Sequence, residues 1–179
     1  MSHMEKRLSG RTVFHGKLIA IVHDTVELEN GRRTLREVVQ HPGAVAILAL
    51  DGDRIVLVRQ YRYAIGRELL EIPAGKLEKD EQPLAAAVRE LSEETGGFCT
   101  SLTPLGEYFG SPGVLGERIS LFFGRLSSTG DQHPDEDEFL SVVRLTPEEL
   151  RQRVAGGEIT DGKTLAALTL AREKGFLDV

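Results

Sequence analysis

Residues 75–97 form the stretch that decides the fold, and they read GKLEKDEQPLAAAVRELSEETGG. The stretch predicts a helix over residues 80–95, since Asp80 is a suitable N-cap, Pro83 is tolerated in the first turn and the two closing glycines end a helix. At about 100° per residue, one side of this helix carries carboxylates and the adjoining side is apolar. We expect the apolar side to face a core, and it consists of Leu84, Ala87, Val88 and Leu91.

The carboxylates of this helix repeat at the spacing of one turn. Glu90 and Glu94 are four residues apart, and Glu93 lies beside them. Like charges at this spacing repel each other by a few tenths of a kcal/mol per pair, so we expect a cation to compensate them. Carboxylate oxygens are hard ligands that suit Mg²⁺ or Mn²⁺. A solvated acidic helix face is the alternative interpretation of these residues taken alone.

The composition of the chain is that of an ordinary globular protein. Its 179 residues are 40% hydrophobic and 28% charged, which suits one main domain with a sizeable core. With Cys99 as the single cysteine and no apolar stretch long enough to cross a bilayer, we expect a cytoplasmic protein without a membrane partner. The net charge of −6 argues against a nucleic-acid partner. Residues 1–3 are interpreted as a tag remnant before Met4.

Alternation of polar and apolar residues predicts strands on both sides of the helix. Residues 1–40 are expected to form an N-terminal antiparallel β region, with Asn30-Gly31 as a two-residue hairpin turn. Residues 41–179 are expected to form the second domain. Its strands are predicted at 44–50, 54–59, 119–126 and 140–145. A mobile polar loop is expected before the last of these strands.

Two further helices are predicted toward the C-terminal end of the chain. The stretch Thr146-Pro147-Glu148-Glu149 has the pattern of a capping box with proline at the first helical position. Leu145 and Leu150 are placed to pack against each other across that helix start. Asp161 is expected to cap a last helix that turns Leu168 toward the core.

The stretch 75–97 resembles the Nudix box. That pattern is a glycine, five residues, a glutamate, seven residues and then Arg-Glu-apolar-any-Glu-Glu-any-Gly-apolar. The chain matches it at every fixed position except the last, where Gly97 stands. The resemblance implies an α+β fold, a Nudix-type α/β/α sandwich with a mixed central sheet. It also implies a hydrolase that uses divalent cations to cleave a nucleoside diphosphate linked to another moiety.

The resemblance further implies roles for the charged residues of the box. Arg89, which we place with Glu93 in the catalytic group, matches a residue that pairs with Glu81 and orients the carboxylates. A simple ion pair on the helix surface is the alternative role of Arg89. The metal ligands implied by the resemblance are four: Ala74 through its carbonyl, Glu90, Glu93 and Glu94.

Residues outside the box resemble the ADP-ribose pyrophosphatases of the same family. The matching stretches are Arg59-Gln60-Tyr61-Arg62, Glu71-Ile72-Pro73-Ala74-Gly75 and Ser111-Pro112-Gly113. Arg59 and Arg62 are then expected to bind phosphate or a terminal ribose, and Glu71 to accept hydrogen bonds from a base or ribose. Pro112, fifteen residues past Gly97, matches a proline that marks this group. Taken alone, these residues also fit strand-surface polarity and a generic Pro-Gly turn.

The acidic run at residues 135–138 resembles the catalytic loop of the same enzymes. A flexible carboxylate there is expected to swing in and accept a proton from the attacking water. Glu136 is the candidate general base, and Glu138 is the candidate that touches metal, although the two roles can be exchanged. Solvation of an acidic loop is the alternative interpretation.

These observations predict a homodimeric Nudix hydrolase that uses Mg²⁺ or Mn²⁺ to cleave ADP-ribose, or a related nucleoside diphosphate sugar, at the pyrophosphate. The products from ADP-ribose are AMP and ribose 5-phosphate. The dimer is implied by the resemblance, because the N-terminal β region of the group commonly crosses to a partner. Two alternatives stay open: a pyrophosphatase for another sugar nucleotide such as GDP-mannose, and a non-catalytic module that senses ADP-ribose.

Overall fold

The computed structural model describes residues 3–135 and 138–177. Over these residues the chain divides into two compact units. The first unit holds the residues up to Gly43 together with Phe109–Arg118, and the second holds Ala44–Tyr108 and the chain from Ile119 onward. Because residues 109–118 return to the N-terminal unit, the two units are not separated by a single cut in the sequence. The division into domains 1–40 and 41–179 stays a prediction.

The first unit is an antiparallel sheet. Its strands are β1 (Lys6–His15), β2 (Ala20–Glu27) and β3 (Arg33–Gln40). They lie in chain order, so β1 and β3 are the edges of the sheet. Asn30-Gly31 lies between β2 and β3, with Gly31 at a positive φ of 78°. The connection spans residues 28–32, however, so the prediction of a two-residue turn was wrong.

The second unit is built on a mixed sheet. Its strands are β4 (Ala44–Asp51), β5 (Arg54–Arg62), β6 (Arg67–Glu71), β7 (Ala74–Lys76), β8 (Gly97–Tyr108), β9 (Ile119–Thr129) and β10 (Leu140–Leu145). The main order is β10-β5-β4-β9-β8, with β6 paired to β5 and β7 paired to β4. The β4–β9 pair is parallel and the other pairs are antiparallel. The predicted mixed sheet is therefore confirmed.

Helices cover both faces of this sheet. In the described part of the chain they are α1 (Pro83–Thr95), α2 (Pro147–Ala155) and α3 (Gly162–Glu173), and none of them is long and apolar enough to cross a membrane. The side chains of β4 alternate between two cores. One core joins Leu48 of β4 to residues of α2 and α3. The other joins Ile47 of β4 to Leu91 of α1, which confirms the α/β/α sandwich.

The predicted caps of α2 and α3 are confirmed, and that of α1 is not. Thr146 caps α2 in the predicted capping box. Asp161 caps α3 by accepting a hydrogen bond from the amide of Thr164. The N-cap of α1 is Gln82, so the prediction of Asp80 was wrong. Asp80 instead turns the chain ahead of the helix, with a positive φ of 63°.

The apolar side of α1 was predicted correctly only in part. Ala87 and Leu91 are buried against the sheet, whereas Leu84 and Val88 are exposed. The reason is that the buried side of the helix includes Glu90 and, one turn later, Glu94. The buried arc is therefore rotated away from Leu84 and Val88 and toward the carboxylates. This rotation brings charged groups into the interior.

Candidate active site

Two carboxylates of α1 are buried against β7. Only 7% of Glu90 and 1% of Glu94 is exposed. The carboxylate of Glu90 lies over the Cα of Gly75, where a Cβ atom would collide with it. The amide of Ala74 donates a hydrogen bond to Oε2 of Glu94 over 3.0 Å. The short strand β7 therefore accommodates both carboxylates. Gly75 leaves room for that of Glu90, and the amide of Ala74 binds that of Glu94.

Arg89 connects the box residues into one network. Its guanidinium donates to both oxygens of Glu81, over 3.0 and 2.9 Å. Nη1 donates to Oε1 of Glu90 over 2.8 Å and to Oε2 of Glu93 over 2.9 Å. A further bond reaches the carbonyl of Lys76. Arg89 thus bridges three carboxylates and a strand end, which is more than the simple surface ion pair considered as its alternative role.

The electrostatics of the carboxylate pair favour a bound cation. Burial raises the pKa of Glu94 to about 8, opposed by the amide of Ala74 and supported by the charges of Glu138 and Glu90. Burial likewise raises the pKa of Glu90, with Arg89 opposing. A positive charge between the two would relieve this cost, and hard carboxylate oxygens suit a divalent ion. The donor chemistry of this pair therefore fits the cation that the sequence implies.

The described residues do not form a complete coordination shell for a metal ion. Within residues 3–135 and 138–177, no three His, Cys, Asp or Glu side chains are arranged to hold a metal ion. Glu93, expected as a further ligand, uses Oε2 for its bond to Arg89. Ala74 contributes its amide to Glu94, and its carbonyl stays a predicted ligand. The set of Ala74, Glu90, Glu93 and Glu94 is therefore still a prediction as a metal shell.

The loop after β9 is fastened to the C-terminal end of α1. The amide of Gly130 donates to the carbonyl of Gly96 over 2.8 Å, and the amide of His133 donates to the carbonyl of Glu93 over 2.9 Å. The side-chain amide of Gln132 donates to the carbonyl of Glu94. A Cβ atom at Gly96 would collide with this loop. These contacts tie residues 130–133, just before the acidic run, to the helix that carries the carboxylates.

Of the two candidate loop acids, Glu136 and Glu138, Glu138 lies within the described residues. Its charge raises the pKa of both Glu90 and Glu94, so its carboxylate lies within electrostatic range of the pair. Its amide donates to the carbonyl of Asp135 over 2.9 Å. Glu136 lies outside the described residues. The geometry therefore bears on Glu138 alone.

Arg62 and Glu71 form a bidentate ion pair. Nε of Arg62 donates to Oε1 of Glu71 over 2.7 Å, and Nη2 donates to Oε2 over 2.9 Å. Lys163 of α3 also donates to Oε2 of Glu71. The charge of Arg62 opposes the rise in the pKa of Glu94, so Arg62 lies within electrostatic range of that carboxylate. Both oxygens of Glu71 are engaged by cations in this arrangement, and its contact with a base or ribose stays a prediction.

Sequence reasoning missed Lys163 as a participant in this region. The sequence did carry a signal, because a cation in the first turn of a helix opposes the helix dipole. Lys163 is the second residue of α3 and is only 9% exposed. A lysine in that position indicates an acidic partner elsewhere in the fold. The sequence alone does not name the partner, which is 92 residues away.

The structure gives local contacts for the other two predicted binding residues. Arg59 is on β5, with Nη1 3.8 Å from Oε2 of Glu68. Pro112 belongs to the first unit. There it lies in a turn in which the amide of Leu115 donates to the carbonyl of Ser111 over 2.8 Å. The substrate contacts of Arg59 and Pro112 stay predictions.

The departure from the box pattern at Gly97 has a packing explanation. A Cβ atom there would lie 2.7 Å from Oγ1 of Thr95 and 2.9 Å from Cδ2 of Leu126. Leu126, from β9, therefore fills the space that the usual apolar residue of the pattern would need. Phe98, the next residue, is exposed and does not replace it. Every charged position of the box pattern is present.

Comparisons with known proteins agree with this geometry. A model of the NUDIX domain matches residues 39–168. An ADP-ribose pyrophosphatase of Bacillus subtilis (strain 168) is 41% identical over 97% of this chain and 95% of its own. A methanol dehydrogenase activator of Bacillus methanolicus is 41% identical over 92% and 90%. A GDP-mannose pyrophosphatase of Klebsiella pneumoniae is 33% identical over 81% and 78%.

A solved structure agrees at the level of the fold. It is the crystal structure of an ADP compounds hydrolase, with a TM-score of 0.83 over 97% of both chains and 24% identity. The family model spans most of the chain, and the box residues that it shares converge on one buried carboxylate pair. The resemblance at residues 75–97 is thereby confirmed. The chain belongs to the Nudix family of hydrolases.

Proposed function

We propose that this protein hydrolyses the pyrophosphate bond of ADP-ribose to AMP and ribose 5-phosphate, with Mg²⁺ or Mn²⁺ as cofactor. The observation that carries the proposal is the buried pair Glu90 and Glu94, held by Gly75 and Ala74 and tied to Arg89. The ADP-ribose pyrophosphatase of Bacillus subtilis, similar over almost the whole chain, supports the choice of substrate.

The carboxylates of the box would hold the cation. Glu90 and Glu94 are the main ligands in this proposal, with the carbonyl of Ala74 and Glu93 as further ones. A bound divalent ion neutralises phosphate oxygens and lowers the pKa of a bound water. Arg89 stays protonated, because its carboxylate partners raise its pKa further. It therefore holds Glu81, Glu90 and Glu93 at fixed separations.

The remaining residues act on the water and on the substrate. In the reaction, the oxygen of a water bonds to one phosphorus while the bridging P–O bond breaks. Glu138, or Glu136, accepts a proton from that water. Arg62, which is fixed by Glu71 and lies within electrostatic range of Glu94, presents a guanidinium to a phosphate oxygen in this proposal. Arg59 and Pro112 complete the binding residues of the proposal.

A homodimer is part of the proposal. All ten residues of β1 are exposed, and Leu8, Val13 and Phe14 are large apolar side chains among them. An exposed edge strand with apolar side chains favours association with another chain. We take the occupant to be a second copy of this protein. The cytoplasmic location rests on the sequence alone and stays a prediction.

A substrate panel tests the proposed function. The protein is incubated with Mg²⁺ or Mn²⁺ and ADP-ribose, GDP-mannose, NADH or diadenosine polyphosphates, and phosphate released from the products by added phosphatase is measured. We expect the highest kcat/KM on ADP-ribose, with Glu94→Gln as the inactive control. Faster turnover of GDP-mannose would instead identify this protein as a GDP-mannose pyrophosphatase, which is the name of the Klebsiella relative. Binding of ADP-ribose without any turnover would identify a sensor and overturn the proposal.

A further inference from the structure

We propose that Lys163 of α3 is a positioning residue for the active site, because it holds Glu71 in the orientation that fixes Arg62, and Glu71 leads into the segment whose Ala74 amide holds Glu94. The inference rests on the proposed function for its kinetic test, and a second readout does not depend on that function. Lys163 contacts Glu71 and Asp161. Its effect is therefore exerted through Glu71 and Arg62.

The contacts of Glu71 leave it little freedom. Glu71 is 1% exposed, and its Oε2 accepts from both Arg62 and Lys163 while Oε1 accepts from Arg62 alone. Burial raises the pKa of Glu71, and the two cations more than offset this, so the carboxylate stays ionised. If Lys163 lost its charge, Arg62 would be the sole cation on a buried carboxylate. Arg62 is itself partly exposed and is held by this pairing.

Lys163 is in turn held by the cap of its own helix. Nζ of Lys163 lies 3.1 Å from Oδ1 of Asp161, whose Oδ2 accepts from the amide of Thr164 over 3.0 Å. A cation in the first turn opposes the helix dipole, so this location is unfavourable unless acids compensate it. Asp161 and Glu71 supply that compensation. The lysine is therefore fixed between two acids.

The same helix start also fastens the backbone next to Glu71. The amide of Ile72 donates to Oγ1 of Thr164 over 2.9 Å, and both groups are buried. Ile72 is two residues before Ala74, whose amide holds Glu94. The start of α3 thus contacts the segment from Glu71 to Ala74 at a side chain and at a backbone amide. The N-terminal end of α3 therefore supports Arg62 through Glu71, and it also supports the backbone that leads into β7.

A double-mutant cycle tests the inference. Lys163→Met is compared with Arg62→Ala and with the two substitutions combined, using kcat and KM for ADP-ribose and thermal unfolding of each protein. We expect Lys163→Met to lower kcat/KM by about 10- to 100-fold, divided between kcat and KM as in Arg62→Ala. In the Arg62→Ala background the loss should shrink to less than about twofold, because the residue through which Lys163 acts is gone. Lys174→Met, an exposed lysine that follows the same helix, is the matched control.

Two kinetic results would overturn the inference. Losses that multiply in the double variant would show that Lys163 does not act through Arg62. A normal kcat/KM with a lowered unfolding temperature would show a purely structural role. If Lys163→Met fails to fold, Lys163→Gln replaces it, since an amide can still donate to Glu71 without the charge.

The second readout is the hydrogen exchange of the Arg62 Nε–H group, measured by ¹⁵N NMR. The signal is assigned by its absence in Arg62→Lys. We expect slow exchange in the unsubstituted protein and clearly faster exchange in Lys163→Gln. Unchanged exchange would overturn the inference even if the protein hydrolysed no substrate. Inactivity of the unsubstituted protein on the whole panel would count against the proposed function alone.

Discussion

Gly75 lies where the Glu90 carboxylate meets β7, and the contact leaves no room for a Cβ atom. Gly75 is not among the residues with positive φ, so alanine there adds a collision without backbone strain. The colliding atoms are the end of a flexible side chain, so the carboxylate would move while the helix stays. We therefore expect Gly75→Ala to lower kcat by about 100-fold and to change thermal stability little. Steady-state hydrolysis and thermal unfolding measure the two effects.

The test of Gly75→Ala has two informative failures. Full activity would show that Glu90 works from a displaced position as well as from its present one. Loss of the folded state would show that backbone atoms, rather than the Glu90 side chain, bear the collision. Titration of the variant with Mn²⁺ separates weakened cation binding from slowed chemistry.

Glu94 should make the cation-free protein less stable as the pH rises. Its pKa is raised from 4.5 to about 8 in the folded state, so folding favours the protonated form. The unfolded chain ionises Glu94 near pH 4.5, and the free energy of unfolding should therefore fall between about pH 4.5 and 8 and level off above that range. Glu94→Gln removes this titration. We expect the variant to exceed the parent in stability at pH 9 by a few kcal/mol.

Urea denaturation at several pH values in the presence of a chelator measures this difference. Other titrating groups are common to both proteins, so the difference reports residue 94 together with its electrostatic coupling to Glu90 and Glu138. Added Mg²⁺ should stabilise the parent more than the variant, since a cation compensates an ionised carboxylate. Parallel pH profiles of the two proteins would contradict the raised pKa.

At the scale of residues, fixed spacing was the strongest guide. Glu81, Arg89 and Glu90 lie in one hydrogen-bonded network, as the resemblance to the Nudix box implies. Two features depended on partners distant in sequence and could not be predicted. Burial of the carboxylates arises because the helix packs closer to its acidic side than the apolar pattern indicates. The engagement of Glu71 arises because Lys163 comes from the last helix.

At the scale of elements, the contact between the end of α1 and the loop after β9 makes a matched comparison possible. Gly96 has a positive φ of 63° and lies against the backbone of Gly130, whereas Gly157 has a positive φ of 75° and open space. Alanine at Gly157 should cost about 1–2 kcal/mol of conformational strain. Alanine at Gly96 adds the collision, for a total of about 2–5 kcal/mol. Urea unfolding of both variants measures the difference.

Activity distinguishes the two glycines further. Gly96→Ala should displace the loop that leads to Glu138 and lower kcat, while Gly157→Ala should retain the activity of the parent. Equal losses of stability in Gly96→Ala and Gly157→Ala would mean that the loop after β9 moves away from residue 96 with no loss of free energy. Unchanged kcat in Gly96→Ala would mean that its tether to α1 does not set the position of the acid.

Strands with dense apolar residues were predicted from the sequence. Strands that are recognisable only by their hydrogen bonds to neighbouring strands were missed. Apolar runs indicated β4, β5 and β9 near their observed bounds. The strand β8 was missed because Pro104 and Gly106 interrupt its pattern, and its pairing with β9 shifts register at three places. The strand β7 has three residues, too few for any periodicity. Its existence follows from its hydrogen bonds to β4, which no local pattern reveals.

At the scale of the whole molecule, the position of the site follows from the sheet. Residues of β4 are buried on both faces, which fits a strand covered by helices on each side. Pairing of β4 with β7 brings Ala74 and Gly75 to α1, and so to the carboxylates. Composition and length predicted that such a core exists. They could not predict which strands meet, because the parallel pair β4–β9 joins segments about 75 residues apart.

The net charge of −6 would repel an anionic substrate, so attraction must be local. The charges of Arg62 and Arg89 are already offset by the carboxylates of Glu71 and of the box. We therefore expect a divalent ion to add positive charge for the two phosphates beyond what Arg59 and Arg62 supply. This is why the proposed activity requires the ion for binding as well as for chemistry.

The dimer prediction is tested at the exposed strand β1. Val13 and Phe14 are 42% and 51% exposed on an edge of the three-stranded sheet, so a charge there should oppose association without disturbing a core. We expect the parent protein to sediment at twice the monomer mass at micromolar concentration, and Val13→Asp with Phe14→Asp to sediment as a monomer. Leu35→Asp, on the opposite edge strand and equally exposed, is the control and should remain dimeric. A parent protein that is monomeric at every concentration, or a doubly substituted protein that stays dimeric, would remove β1 as the interface.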